Sequence, residues 1–180
     1  MMIVEDEQAK QADFISSASG NHVAKAATLY KPTAVELAGR CIIEGGVVVR
    51  GDLAAVRIDK HVRVGTNSVL RPSYAAVAGG IRFVPLSVGR FTSIGRGCLI
   101  ESAVIGVGCV IEDDCVLSKR CILKDYVLVT KGSIVPPDAV IPPFAIVSGR
   151  PGRVVGERPE SVTATTEGDI KLRYRCFKLS

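Results

Sequence analysis

The stretch IGVGCVIEDDCVLSKRCILKDYVLVTKGSIVPPDAVIPPFAIV, residues 105–147, carries a branched aliphatic at every sixth position: Ile105, Ile111, Leu117, Leu123, Val129, Val135, Ile141 and Val147. That spacing fits neither the period of about 3.6 residues of a helix nor the two-residue alternation of one long strand. A second position repeats in phase with the first. Four residues after the successive aliphatics stand Cys109, Cys115, Cys121, Val127, Ser133, Ala139, Ala145 and Pro151, all small or compact. The pair recurs upstream: Val88 and Ile94 with Thr92 and Cys98, Ile58 and Val64 with Val62 and Ser68, Leu37 and Ile43 with Cys41 and Val47.

A double sixfold pattern is the mark of a hexapeptide-repeat β-helix. Each hexapeptide makes one flat side of a triangular coil, and three complete a turn. The aliphatic fills the inside of a corner, and the residue four places on points inward and must be small. Gly89 and Gly95 directly follow their aliphatics, where a bend with positive φ is expected. The phase slips around RGDLAAV, breaks after Leu70 until Val88, and shortens by one residue between Ile100 and Ile105. The long break, RPSYAAVAGGIRFVPLS at residues 71–87, reads as a loop projecting from the prism. The expected fold is all-β: a parallel β-helix of about six coils, roughly 29 Å long at ~4.8 Å per strand.

Three segments follow. Residues 1–28 read as a lead-in with a turn at Ser19, Gly20 and Asn21. Residues 29–152 are the solenoid with its loop. Residues 153–180 are a tail, with a short helix expected between 159 and 178, lying back on the prism and shielding an otherwise sticky edge. The pairs Pro136–Pro137 and Pro142–Pro143 suit the last coils, because proline donates nothing to a further ladder.

Composition narrows the function classes. Aromatics make up 5% of the 180 residues and Trp is absent, as expected of a prism filled with aliphatics. No run of 18 apolar residues occurs, so no transmembrane helix is expected. The opening MMIVEDEQAK is acidic and lacks the apolar core of a secretory signal, which points to the cytoplasm. Cys41, Cys98, Cys109, Cys115 and Cys121 all fall at the inward small position, where a reduced thiol behaves as a small hydrophobe. Consecutive ones point in from different sides of the triangle, which argues against disulfides and against a metal cluster. The net charge of +5 is scattered over the coils and resembles no nucleic-acid module. The tract KLRYRCFK, with Lys171, Arg173, Arg175 and Lys178, reads as a solvated helix face or as a contact for an acidic partner.

Catalysis finds few candidates. Hexapeptide acyltransferases use a histidine as general base, and the chain has only His22, ahead of the repeats, and His61, at an outward position. RGDLAAVRI, Arg50 to Ile58, and the short step from Ile100 to Ile105 resemble features of the γ-class carbonic anhydrases. That resemblance implies zinc held by three histidines at subunit interfaces. Here the ligand positions fall on Arg71, Arg96 and Glu101. Arginine has no lone pair to give a metal, and one carboxylate does not make a catalytic zinc site. The expectation is no metal and no cofactor, with the three residues forming a charge cluster.

One family joins such a scaffold to a stripped site. ASGN (Ala18 to Asn21), RGDLAAVRI, SVLRP (Ser68 to Pro72), FVPLSVG (Phe83 to Gly89), CVLSKRCILKD (Cys115 to Asp125) and VPPDAVIPPFAIVSGRPG (Val135 to Gly152) resemble the dynactin subunit 5 family, the smaller left-handed β-helix subunits of the dynactin pointed end. The resemblance implies a non-catalytic scaffold of the dynein activator, located in the cytoplasm and cytoskeleton. Its implied partners are a second β-helix subunit, an actin-related protein, a larger pointed-end subunit and cargo adaptors, with no nucleic acid and no membrane insertion. On the loop, Tyr74, Ile81, Arg82 and Phe83 are interface candidates, since aromatics and Arg are common anchors; the other reading has Phe83 and Leu86 packing the loop onto the prism. Arg50 and Asp52 either bridge to a neighbouring subunit or tie adjacent coils.

Overall fold

The computed structural model describes residues 13–179; the opening MMIVEDEQAK and the Lys178 side chain lie outside what it describes. Short parallel strands stack into the three faces of a left-handed β-helix of about six coils. The first face stacks His22–Ala24, Ile42–Ile43, Arg63–Val64, Ser93–Ile94, Val110–Ile111, Leu128–Val129 and Ala145–Gly149. The second runs from Thr28–Tyr30 to Ile134–Val135, and the third from Val35–Leu37 to Val140–Ile141.

The ladder absorbs every slip of the sequence phase. In the regular coils Leu117 stands opposite Val135 and Leu123 opposite Ile141. The shortened step puts Ile100 opposite Leu117, and the coil bearing the long insertion puts Leu70 opposite Ile100. Aliphatic therefore meets aliphatic throughout, and extra residues are expelled at corners. A one-residue slip inside a strand would turn the core side chains outward, so insertions are confined to the bends. Ile43, Val64, Leu70, Leu86, Ile100, Leu117, Leu123 and Val129 are fully buried in one continuous core.

The inward small position does more than avoid bulk. The Cys109 thiol donates to the Lys124 carbonyl at 3.1 Å and Cys115 to Thr130 at 3.1 Å. The Thr92 hydroxyl donates to the Gly106 carbonyl at 2.9 Å and accepts the Cys109 amide at 3.3 Å. Small donors at this site satisfy corner carbonyls that the ladder leaves over. Burial pushes the Cys109 and Cys121 thiols up to about 12. No disulfide joins the cysteines. Cys98 and Cys115 do share a face, since the short step aligns their strands with Leu99 opposite Val116.

Several expectations need correction. The parallel ladder begins at His22, ahead of residue 29, because Asn21 serves as the inward residue of the first coil: its Oδ1 accepts the Cys41 amide at 3.0 Å. Pro151 is exposed and outside the core. The projecting segment is an antiparallel hairpin, Ser73–Val77 with Gly80–Val84, while Leu86 is already back in the third face and fully buried. The glycine after a corner aliphatic does not carry the positive φ. A Cβ on Gly89 would lie 2.6 Å from the Gly106 backbone, so close approach of the next coil is the constraint. The left-handed residue comes two positions later, at Phe91.

Both ends of the first face are closed by antiparallel strands, Phe14–Ser16 on His22–Ala24 and Gly152–Glu157 on Ala145–Gly149. Proline pairs directly follow the terminal strands Ile134–Val135 and Val140–Ile141 of the other two faces. A helix, Val162–Leu179, follows.

Candidate functional site

Three features stand out on the prism: a seam beneath the helix, a closed charge pair between successive coils, and the hairpin. The seam runs along the corner that enters the first face. There Arg40, His61, Phe91, Tyr126 and Phe144 adopt left-handed φ, interleaved with Gly20 and Gly108. Stacked coils bring these side chains into a column: His61 lies on Phe91 at 5.2 Å and Tyr126 on Phe144 at 5.3 Å between ring centroids. The helix covers this column. Tyr174 packs edge-on against His61, its hydroxyl donates to the Gly20 carbonyl at 2.6 Å, and Phe177 meets Phe14 at 4.9 Å. Gly108 has no room for a side chain, since its Cβ would lie 2.3 Å from the Tyr126 ring.

This corrects the expectation of a surface histidine. His61 is 9% exposed, and its Nδ1 has no hydrogen-bond partner among the described residues. Burial, helped by the positive charges of Arg40, Lys171 and Lys60, holds its pKa below the usual value. His22 is buried as well, with Nδ1 bonded to the Ser16 hydroxyl at 2.7 Å. The His61 ring packs against Phe91 and Tyr174, with no carboxylate bonded to it among the described residues. The seam had a signal in the chain: His61, Phe91, Tyr126 and Phe144 each precede a corner aliphatic by three residues.

Of the three residues expected to form a charge cluster, Arg71 and Glu101 come from successive coils and form an ion pair, with Glu101 almost fully buried. Arg96 is not part of that cluster. It sits on another corner, where its amide donates to Asp113 Oδ1 at 2.8 Å. A guanidinium neutralising the one carboxylate does not fit a metal. Among the described residues no group of three or more His, Cys, Asp or Glu side chains is placed to hold one. No described helix is long and apolar enough to cross a membrane.

The hairpin is fastened to the prism by Tyr74. Lys119 Nζ donates to its hydroxyl at 2.8 Å and lies 4.1 Å from its ring centre. Arg120 bonds the Tyr74 carbonyl while gripping Asp138 with two contacts of 2.7 and 2.8 Å. Tyr74 is thus an anchor of the hairpin itself. Opposite it stands Phe83, and Ala76 faces Ile81, so one face of the hairpin is apolar. Ile81 is 66% exposed and Phe83 41%, and Arg82 is exposed on the opposite face. The Arg50–Asp52 pair closes on itself, Nε to Oδ1 and Nη2 to Oδ2 both at 2.8 Å. Arg50 also lies 5.0 Å from the centre of the Tyr30 ring on the adjacent coil.

Comparison with known proteins agrees with this geometry. The fold is shared with a hexapeptide transferase family protein from Anaplasma phagocytophilum, at TM-score 0.67 and 15% identity over 88% of this chain and 91% of that one. A mutant of AntD, an N-acyltransferase from Bacillus cereus, gives TM-score 0.67 at 13% identity over 92% and 96%. At such identities only the architecture is common. Dynactin subunit 5 of Dictyostelium discoideum is 37% identical over 105 residues, 58% of this chain and 53% of that protein, so the alignment spans about half of the relative's length. The dynactin subunit 5 family model matches residues 2–178, and the chain therefore belongs to the dynactin subunit 5 family.

Proposed function

We propose that this chain is a non-catalytic scaffold subunit of the dynactin pointed-end complex, engaging cargo adaptors in dynein-driven transport along microtubules. The family match over residues 2–178 carries the reading. The Arg71–Glu101 pair supports it, since it stands where the anhydrase-like scaffold would need metal ligands. A β-helix suits such a role. Its faces present side chains at fixed spacing, so little conformational entropy is lost when a partner docks. The partners are a second β-helix subunit, an actin-related protein and a larger pointed-end subunit, and the location is the cytoplasm and its microtubule cytoskeleton. The exposed hairpin face with Ile81 and Phe83 is the interface we assign to a partner, with Arg82 on the opposite face.

The test is a tagged purification of the chain from its native cytosol at moderate salt. Co-elution of an actin-related protein and a second hexapeptide-repeat chain is expected. A lone homotrimer would overturn the reading in favour of an anhydrase-like assembly, whose site is built between identical subunits.

A further inference from the structure

Between the C-terminal helix and the far corner of the first face lies a cleft of about 280 Å³. Ser93 and Val110 line its floor. Arg173 enters from the helix, and Arg96 and Lys131 from corner turns of the prism. The charges in it differ in how they are used. Glu112 Oε2 accepts the Lys131 amide at 3.1 Å, and Asp113 Oδ1 accepts the Arg96 amide at 2.8 Å. Each carboxylate thereby gives one oxygen to backbone of the next or preceding coil and keeps its charge, but the four bases lining the cleft outnumber its two acids. Arg63, also in the wall, is held by Glu44. The side chains of Arg96, Lys131 and Arg173 are exposed and have neither an ion pair nor a hydrogen bond among the described residues.

We propose that this cleft seats an acidic segment of a partner protein, its carboxylates lying on Arg96, Lys131 and Arg173. Cations gathered around one cleft repel one another, and within a Debye length of about 10 Å at 0.1 M salt that repulsion is not screened away. An incoming carboxylate relieves it, and the arginine fork accepts one with two parallel bonds. The volume is below the roughly 300–1,000 Å³ of pockets that enclose small ligands, which fits side chains of an extended segment. The bases line a recess beside the helix, which suits a protein segment better than a flat lipid surface. The basic run at the end of the chain thereby gains a role through Arg173. This inference rests on the scaffold reading only in taking the occupant to be a protein.

The test uses the purified full chain and a fluorescein-labelled peptide of alternating Glu and Ala, followed by anisotropy at low and physiological salt. Arg96→Glu with Arg173→Glu is expected to weaken binding by about tenfold or more, the loss of two charge-assisted contacts and their replacement by repulsion. A charge-matched control, Lys124→Glu with Arg153→Glu, alters exposed bases outside the cleft and should weaken it by less than about twofold. Melting curves confirm folding of each variant, and Arg96→Gln with Arg173→Gln replaces the first pair if it fails to fold. Equal weakening by both pairs, no binding by the unaltered chain, or binding to phosphatidylserine vesicles in place of the peptide would overturn the proposal. If the altered chain still recovers the pointed-end subunits from cytosol yet ignores the peptide, the cleft is needed for a separate ligand. If the unaltered chain recovers none of them, the scaffold reading alone falls.

Discussion

Tyr174, in the C-terminal helix, donates its hydroxyl to the carbonyl of Gly20 at 2.6 Å, across 154 residues of chain. The contact ties the last element to the turn that opens the first coil. It works only because Gly20 holds φ +79° and offers no Cβ, which would lie 2.6 Å from the same hydroxyl. Tyr174→Phe keeps the ring and removes the bond, and should cost about 1 kcal/mol. Gly20→Ala adds both strain and a clash and should cost more, roughly 1–3 kcal/mol. Urea unfolding gives the magnitudes. Hydrogen exchange should locate the loss in the helix before the coils, and an unchanged helix in both variants would rule out the seam as its support.

The seam should also respond to pH. His61 has its folded pKa lowered by burial and by the neighbouring charges of Arg40, Lys171 and Lys60. Between the folded and the unfolded value, near 6.5, the unfolded chain binds more protons. Stability is therefore fully present above about pH 6.5 and is lost as pH falls through the folded value. Near-ultraviolet circular dichroism of the tyrosines should show the helix loosening as pH falls below about 6.5. His61→Gln, which cannot charge in this range, should flatten that dependence.

Thiol chemistry separates core from surface. Five cysteines are buried, and burial pushes Cys109 and Cys121 up to about 12, so almost no thiolate forms at neutral pH. Cys176 is exposed. A maleimide should label Cys176 alone in the folded chain and all six in denaturant. Early labelling of Cys109 would mean that the coils open locally.

Leu117 and Ile81 are both aliphatic but should behave as opposites. Leu117 is fully buried between stacked coils. Leu117→Ala leaves a cavity and should cost about 2–5 kcal/mol. Ile81, at the end of the hairpin, should change stability by less than about 0.5 kcal/mol when made Ala. Ile81→Ala with Phe83→Ala should instead reduce recovery of pointed-end partners. Normal recovery would remove the hairpin face from the interface.

The Arg71–Glu101 pair makes a further claim. Arg71→Met leaves a nearly buried carboxylate without its cation and should cost about 1–3 kcal/mol. The chelator-washed protein should contain no stoichiometric zinc by elemental analysis, before or after that change.

The residues that built the prism were readable because a six-residue repeat imposes the same local demand many times. Leu117 and Cys121 could be assigned without a partner in view, since every coil asks for an aliphatic and a small inward side chain at those spacings. Tyr74 was less legible. Its place on the insertion marked it as exposed, yet its role is set by Lys119 and Arg120, which reach it from a coil further along the stack. His61 was misread as surface because outward positions are normally solvated, and only the docked helix buries this one.

Periodicity alone decided the architecture, most of the inward set and the place of the insertion, because each is a local requirement met within a few residues or repeated at fixed steps. Arg96 shows what it left undecided. By motif it falls with Arg71 and Glu101, but the coil turns it onto a different corner, near Lys131 and Arg173. Which charges neutralise one another, and which remain unpaired for a partner, depends on how coils stack and where the helix lies. Those are distances between residues far apart in the chain, and no spacing along it encodes them.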